Sequence, residues 1–167
     1  MRQLSGDEVA GVIRASFPQS VVAATPEAIY IKGEDWVEVA TFLRDSPDLQ
    51  FNFLCMLAAV DYKSHFEVVY ILHSLPLNHS ATVKIKTANR EEASVPSVSG
   101  VWRGADFQER EAYDMMGILF LGHPNMKRIL LWEGFPGHPQ RKDFLGMGGA
   151  PFPWTPSWRK EKQGGSD

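Results

Sequence analysis

What most constrains the fold of this chain is a change of character at Gly122. Up to that point helix and strand patterns alternate. From His123 onward thirteen of 45 residues are Gly or Pro, and no apolar period runs through them. Such a stretch sustains neither a helix nor a central strand. The fold is therefore made by residues 1–122, and the rest must lie on something. We expect an α+β body over 1–122 and an extended, partner-binding arm over 123–167. The body includes, shortly before the arm, a short charged segment, Glu109-Arg110-Glu111-Ala112-Tyr113-Asp114-Met115-Met116, closed by Gly117.

The body reads in order. Ser5-Gly6-Asp7-Glu8 is a capping box for a helix carrying Val9, Val12, Ile13 and Phe17 at helical spacing, and Pro18 ends it. Val21–Ala24 and Ile29–Ile31 are short β-branched runs around Thr25-Pro26-Glu27, a hairpin pattern. Gly33-Glu34-Asp35 opens a second helix with Trp36, Val39, Ala40 and Leu43 as its buried stripe. The run from Phe51 to Val60 is apolar nearly throughout, and its period does not separate a buried strand from a short helix running into one. Phe66–Leu72 and Thr82–Thr87 read as strands, and the link between them is too short for a crossover helix, so they pair antiparallel. Two helices on a mostly antiparallel or mixed sheet make a two-layer α+β domain. Ser94–Val98 reads as irregular, Asp106 as the cap of a helix over 107–116 with Gly117 as its left-handed stop, and Ile118–Leu121 and Arg128–Trp132 as short extended pieces.

Charge separates the same two parts. The first 122 residues carry ten Lys/Arg against sixteen Asp/Glu, whereas 123–167 carry seven against four. A net charge of −3 argues against a general nucleic-acid or anionic-membrane binder, and a basic arm on an acidic body is an interaction pattern. The single cysteine, Cys55, excludes an internal disulfide and a four-cysteine zinc or iron–sulfur site; its apolar neighbours predict a small buried hydrophobe. No apolar run reaches the ~18–20 residues of a membrane span, and the N-terminus carries no signal core, so a cytosolic placement is expected.

Glu109, Glu111 and Asp114 put three carboxylates on one helix, a set that general acid–base chemistry or a hard cation could use. Arg110 and Asp114 stand four apart, which favours a neutralised pair, and Arg128, Arg141 and Lys142 of the arm are candidate mates for the acids. His65, His73 and His79 read as surface or strand-edge residues; His123-Pro124 and His138-Pro139 each follow a glycine and mark turns. Gly146-Met147-Gly148-Gly149 runs into Pro151 and Pro153, so it is no phosphate loop. Trp132, Trp154 and Trp158 suit anchors on a partner surface, or an arm wrapped on its own body. By residue chemistry the chain is a scaffold or binding module.

Glu109-Arg110-Glu111, Asp114-Met115, Gly117-Ile118, Phe120, Gly122-His123-Pro124 and Lys127-Arg128-Ile129-Leu130 closely resemble the signature of the thirty-kilodalton-subunit family of respiratory complex I, the proton-pumping NADH:quinone oxidoreductase. Gly137-His138-Pro139 with Arg141-Lys142-Asp143-Phe144 resembles its second block, and Val60-Asp61-Tyr62 and Val95–Val98 also resemble the family. Gln140 departs from the usual Leu, and Leu145-Gly146 from a Pro-containing turn. The resemblance implies an α+β body whose arm embraces the forty-nine-kilodalton homologue among other peripheral-arm subunits. It implies no flavin or iron–sulfur cluster in this chain, the FMN and clusters lying in partner subunits. It further implies a peripheral membrane protein on the cytoplasmic side, with membrane contact only through the complex. Related subunits serve ferredoxin- or F420-linked complexes and membrane-bound hydrogenases, which stand as the alternative.

Overall fold

The computed structural model describes residues 1–146. A two-residue strand, β1 (Arg2–Gln3), leads into α1 (Gly6–Ser16), which begins where the sequence places it. The Ser5 hydroxyl accepts from the Glu8 N–H, and the Glu8 carboxylate accepts from the Ser5 N–H. A side chain at Gly6 would collide with the Ala28 carbonyl, so glycine lets α1 press onto the turn between β2 (Val21–Ala24) and β3 (Ile29–Ile31). A single 3-10 turn, Gly33–Asp35, opens α2 (Trp36–Asp45).

The rest of the body is β4 (Phe53–Asp61), β5 (Phe66–Ser74) and β6 (His79–Lys86), a continuous antiparallel meander. With β2, β3 and β1 they form a six-stranded mixed sheet of order β2-β3-β6-β5-β4, and β1 and β3 run parallel to β6 at successive positions along its edge. The alternation of β5 and β6 sends Val68, Tyr70, Leu72, Val83 and Ile85 to one face, where they form a single core with Val9 and Ile13 of α1 and Trp36, Val39 and Leu43 of α2. Phe53, Met56 and Val60, on the other face or at the edge of the sheet, stay more than a third exposed. Helices on one side and a partly open sheet on the other give the two-layer α+β fold expected.

Several local readings change. The 51–60 run resolves as the strand β4, bulged between Leu54 and Met56. Cys55 is the extra residue there, so it is exposed and not the buried hydrophobe its neighbours suggest. His79 is buried, its Nε2 at 2.7 Å from the Leu49 carbonyl and its ring beside Phe51. Ser94–Pro96 is the strand β7, paired parallel with β8 (Leu119–Leu121). The intervening α3 (Ala105–Met116) starts at Ala105, so Asp106 lies in its first turn and is not its cap.

Helix α3 lies across the free edge of β4. The Gln108 side chain accepts from the Leu57 N–H, and this covers an edge that would otherwise offer unpaired backbone. The charged segment singled out by the sequence is built on this helix.

Candidate functional site

The three carboxylates of α3 do not converge. Glu109 turns inward and accepts from Ser97 Oγ at 2.6 Å and the Val98 N–H at 2.7 Å, which ties α3 to the end of β7. Glu111 is exposed and lines a 320 Å³ groove between α3 and β4 with Met56, Ala58 and Met115. Asp114 turns toward the arm. Among the described residues no group of three His, Cys, Asp or Glu side chains is placed to hold a metal ion.

Asp114 is the anchor of the arm. One carboxylate oxygen accepts the N–H groups of Ile129, Leu130 and Leu131 at 3.1, 2.8 and 2.8 Å; the other takes Nη1 of Arg128 at 2.8 Å. Three successive N–H groups meet at one oxygen only if the backbone curls around it. Residues 128–132 are therefore bent, not extended as their apolar run suggests. Burial alone would push this carboxyl up, but the three amides and the guanidinium outweigh it and hold Asp114 below the usual range. The expected Arg110–Asp114 pair gives way to this arrangement. Arg110 shares the arm-facing side of α3 but donates to the carbonyls of Lys127 and Arg128.

The C-terminal end of α3 is finished by the arm as well. Gly117 adopts φ +76° and its N–H returns to the Tyr113 carbonyl. A Cβ there would fall 2.6 Å from the His138 ring, so the position needs glycine for both torsion and space. His138 Nδ1 donates to the Asp114 carbonyl at 3.0 Å, and the Gln140 N–H to the Met115 carbonyl at 3.1 Å. Two carbonyls that the helix leaves open are thus satisfied by residues more than twenty positions on. Pro139 sits half-buried between these two tethers, and Pro124 is exposed in the turn after His123.

A second lock holds the far end. Asp61, buried at the end of β4, pairs with Arg90 through both oxygens and accepts the N–H of Lys63 and, at 2.8 Å, of Lys142. Arg90 also reaches Asp143 at 3.0 Å, Arg141 pairs with Asp143, and both guanidinium groups lie over the Phe66 ring. The Arg90 bond leads the contributions that hold Asp61 well below the usual carboxylate range. Arg141 therefore meets the body over the Phe66 ring while pairing with its arm neighbour Asp143, and Lys142 meets it through its backbone amide on Asp61, not through acids of α3. Asp61 and Arg90 were not singled out for this role by the sequence. Trp132 packs edge-on against Phe135, which lies under Arg128 and beside Phe144. Trp154, Trp158 and the Gly146–Gly149 loop beyond Gly146 lie outside the described residues.

The stretch that carries both locks lies inside the match to a known family profile. The profile described as "Respiratory-chain NADH dehydrogenase, 30 Kd subunit" matches residues 29–149. The chain belongs to this family. Among its relatives, a C-type subunit of the NADH-quinone oxidoreductase of Rhizobium etli is 48% identical over 127 residues, 74% of this chain and 63% of that protein. The chain thus spans less than two thirds of the Rhizobium protein's length. The C-type subunit of a Roseiflexus species is 43% identical over 138 residues, covering 78% and 79% of the two chains. Among solved structures, the trypsin-resistant fragment (1-134) of Nqo5 superimposes with a TM-score of 0.53 at 31% identity, over 58% of this chain and 80% of that one. A chain of the archaeal membrane-bound sulfane sulfur reductase shares the fold, with a TM-score of 0.67 at 22% identity over 94% and 90%. Within the described residues of this family member no helix is long and apolar enough to cross a membrane.

Proposed function

We propose that this chain is a non-catalytic structural subunit in the peripheral arm of a complex I-type NADH:quinone oxidoreductase. There it braces the forty-nine-kilodalton subunit near the quinone-reducing end, on the cytoplasmic face of the membrane. The complex passes electrons from NADH through FMN and iron–sulfur clusters of partner subunits to a quinone and couples this to ion translocation. The observation that carries this reading is how the charged signature is used. Asp114, Arg128, Arg110, His138 and Asp61 are all engaged in fixing residues 127–143 on α3 and β4. A pre-ordered segment loses less conformational freedom when a partner docks on it. The segment itself also presents an apolar side chain to a partner, Leu130, which is 62% exposed.

Arg128→Glu, introduced into the native complex, sets two carboxylates against each other at Asp114 and unfastens that segment. The expected result is less assembled complex, with normal turnover in whatever assembles. Normal abundance with lost turnover overturns the structural role. A second reading is the matching subunit of a ferredoxin- or F420-linked complex or an energy-converting hydrogenase; the fold itself also occurs in a chain of the sulfane sulfur reductase, an archaeal respiratory membrane complex. Quinone reduction by NADH in the isolated complex eliminates it.

A further inference from the structure

Beneath the joint of β7, α3 and β8 lies a polar cluster that the bracing role does not use. Glu109 has no exposure to solvent, and the side chain of His123 is wholly buried beside it. His123 Nε2 lies 3.9 Å from Glu109 Oε2, 3.4 Å from Asp106 Oδ1 and 3.2 Å from the Asp106 carbonyl. The other ring nitrogen, Nδ1, accepts from the Asn125 N–H at 3.0 Å. An N–H cannot face an N–H, so Nδ1 carries no hydrogen and the ring is neutral, with its one proton on Nε2.

Counting hydrogens exposes a shortage. One imidazole N–H faces three acceptors, and Asp106 Oδ1 is buried with no hydrogen-bond partner among the described residues. The groups around Glu109 come from every packed element: Ser97 after β7, Asp106 on α3, His123 after β8 and Tyr70 on β5. Burial holds the Tyr70 hydroxyl far above 10, so it stays neutral. The charge acting on Glu109 is that of Asp106, which repels it. A buried carboxylate facing a neutral ring and a second carboxylate is resolved by adding one proton. Asp106 lines a 460 Å³ surface depression with Arg103, Phe107 and Pro124, so water reaches the outer end of the cluster.

We propose that Glu109, His123 and Asp106 form a buried proton-binding site whose occupancy tightens the joint between β7, α3 and β8. The proton comes from water in the depression by way of Asp106 and rests on the Glu109 carboxyl, beside the His123 N–H; no bond other than O–H changes. The inference does not rest on the bracing role. Desolvation pushes the Glu109 carboxyl up to about 7, against the opposing bonds from Ser97 and Val98. The folded value lies above the ordinary value of 4.5. The stabilisation is therefore complete below the unfolded value and is lost as pH rises through the folded one.

The test is a carbon-13 titration of the Glu109 carboxyl in the full-length chain, paired with denaturant unfolding at pH 5 and pH 8. The expected midpoint lies near 7, and a midpoint in the ordinary range below 5 overturns the proposal. In Glu109→Gln the amide oxygen keeps the Val98 N–H and the amide N–H turns to the Ser97 hydroxyl. This variant should equal the wild type at pH 5 and exceed it at pH 8. The wild type alone should show an unfolding constant rising by up to ~10-fold per pH unit between them. A variant weaker than the wild type at pH 8 means that the ionised carboxylate is a plain acceptor, and the proposal fails. Ser97→Ala removes a bond to the ionised form and must move the midpoint upward; an unmoved midpoint is equally fatal.

Discussion

Asp114→Ala asks whether residues 128–132 are held in place or only lie near α3. The side chain is fully buried and serves four donors: the amides of residues 129–131 and the Arg128 guanidinium. Truncation leaves the guanidinium without its charge partner and three amides without their acceptor. Arg128 retains its bonds to the Phe135 and Gly137 carbonyls, and residues 129–131 stand close enough to the surface for water to replace part of the loss. Breaking a buried pair from one side costs about 3–5 kcal/mol, and the partial rescue by water places this case near ~3. Asp114→Asn keeps an oxygen for the amides but turns an N–H toward Arg128, for an intermediate loss of ~2 kcal/mol. Urea unfolding of the full chain, read as a midpoint shift at constant m, measures both. A double-mutant cycle with Arg128→Met should return a coupling above ~1 kcal/mol. A loss for Asp114→Ala under ~1 kcal/mol would mean that the curl stands without the carboxylate and that the anchoring argument is wrong.

Gly117→Ala strains the left-handed stop and displaces His138 from the Asp114 carbonyl, a loss of about 2–3 kcal/mol by chemical denaturation; a neutral substitution would refute the steric reading. Arg90→Leu releases Asp61 and Asp143 together, so trypsin should cut after Arg141 or Lys142 faster than in the wild type, whereas an unchanged rate would leave the second lock without effect. Asp61 and Asp114 are both held below their usual values, so their stabilisation is present above about pH 4 and disappears as pH falls through the folded values. Since Glu109 acts in the opposite sense, thermal unfolding across pH should place maximum stability between roughly pH 4 and 6; a maximum above pH 7 contradicts these assignments.

Much of this was legible in the sequence because it is local. The Ser5 capping box, the stripe of Trp36, Val39, Ala40 and Leu43, and the β5–β6 hairpin each depend on residues a few positions apart. What escaped depends on distant partners. Ser94–Pro96 has no strand pattern of its own and pairs only because α3 returns the chain to it at Leu119–Leu121. The bulge that exposes Cys55 belongs to the β4–β5 register, not to the apolar run around it. On α3 the spacing correctly placed Arg110 and Asp114 on one side. It could not tell that Arg128, with a fork and three neighbouring amides, outcompetes Arg110 for the carboxylate. Asp61 reads as an ordinary strand-end acid until Arg90 and Lys142 arrive from 29 and 81 residues away.

The central claim, a structural subunit working inside a complex I-type assembly, is tested most directly by gently solubilising membranes and fractionating them on a native gradient. Mass spectrometry then identifies what co-migrates with this chain. The account predicts the forty-nine-kilodalton subunit together with a flavin-bearing NADH module in the same fraction. A chain that migrates alone, as a soluble monomer, would contradict it.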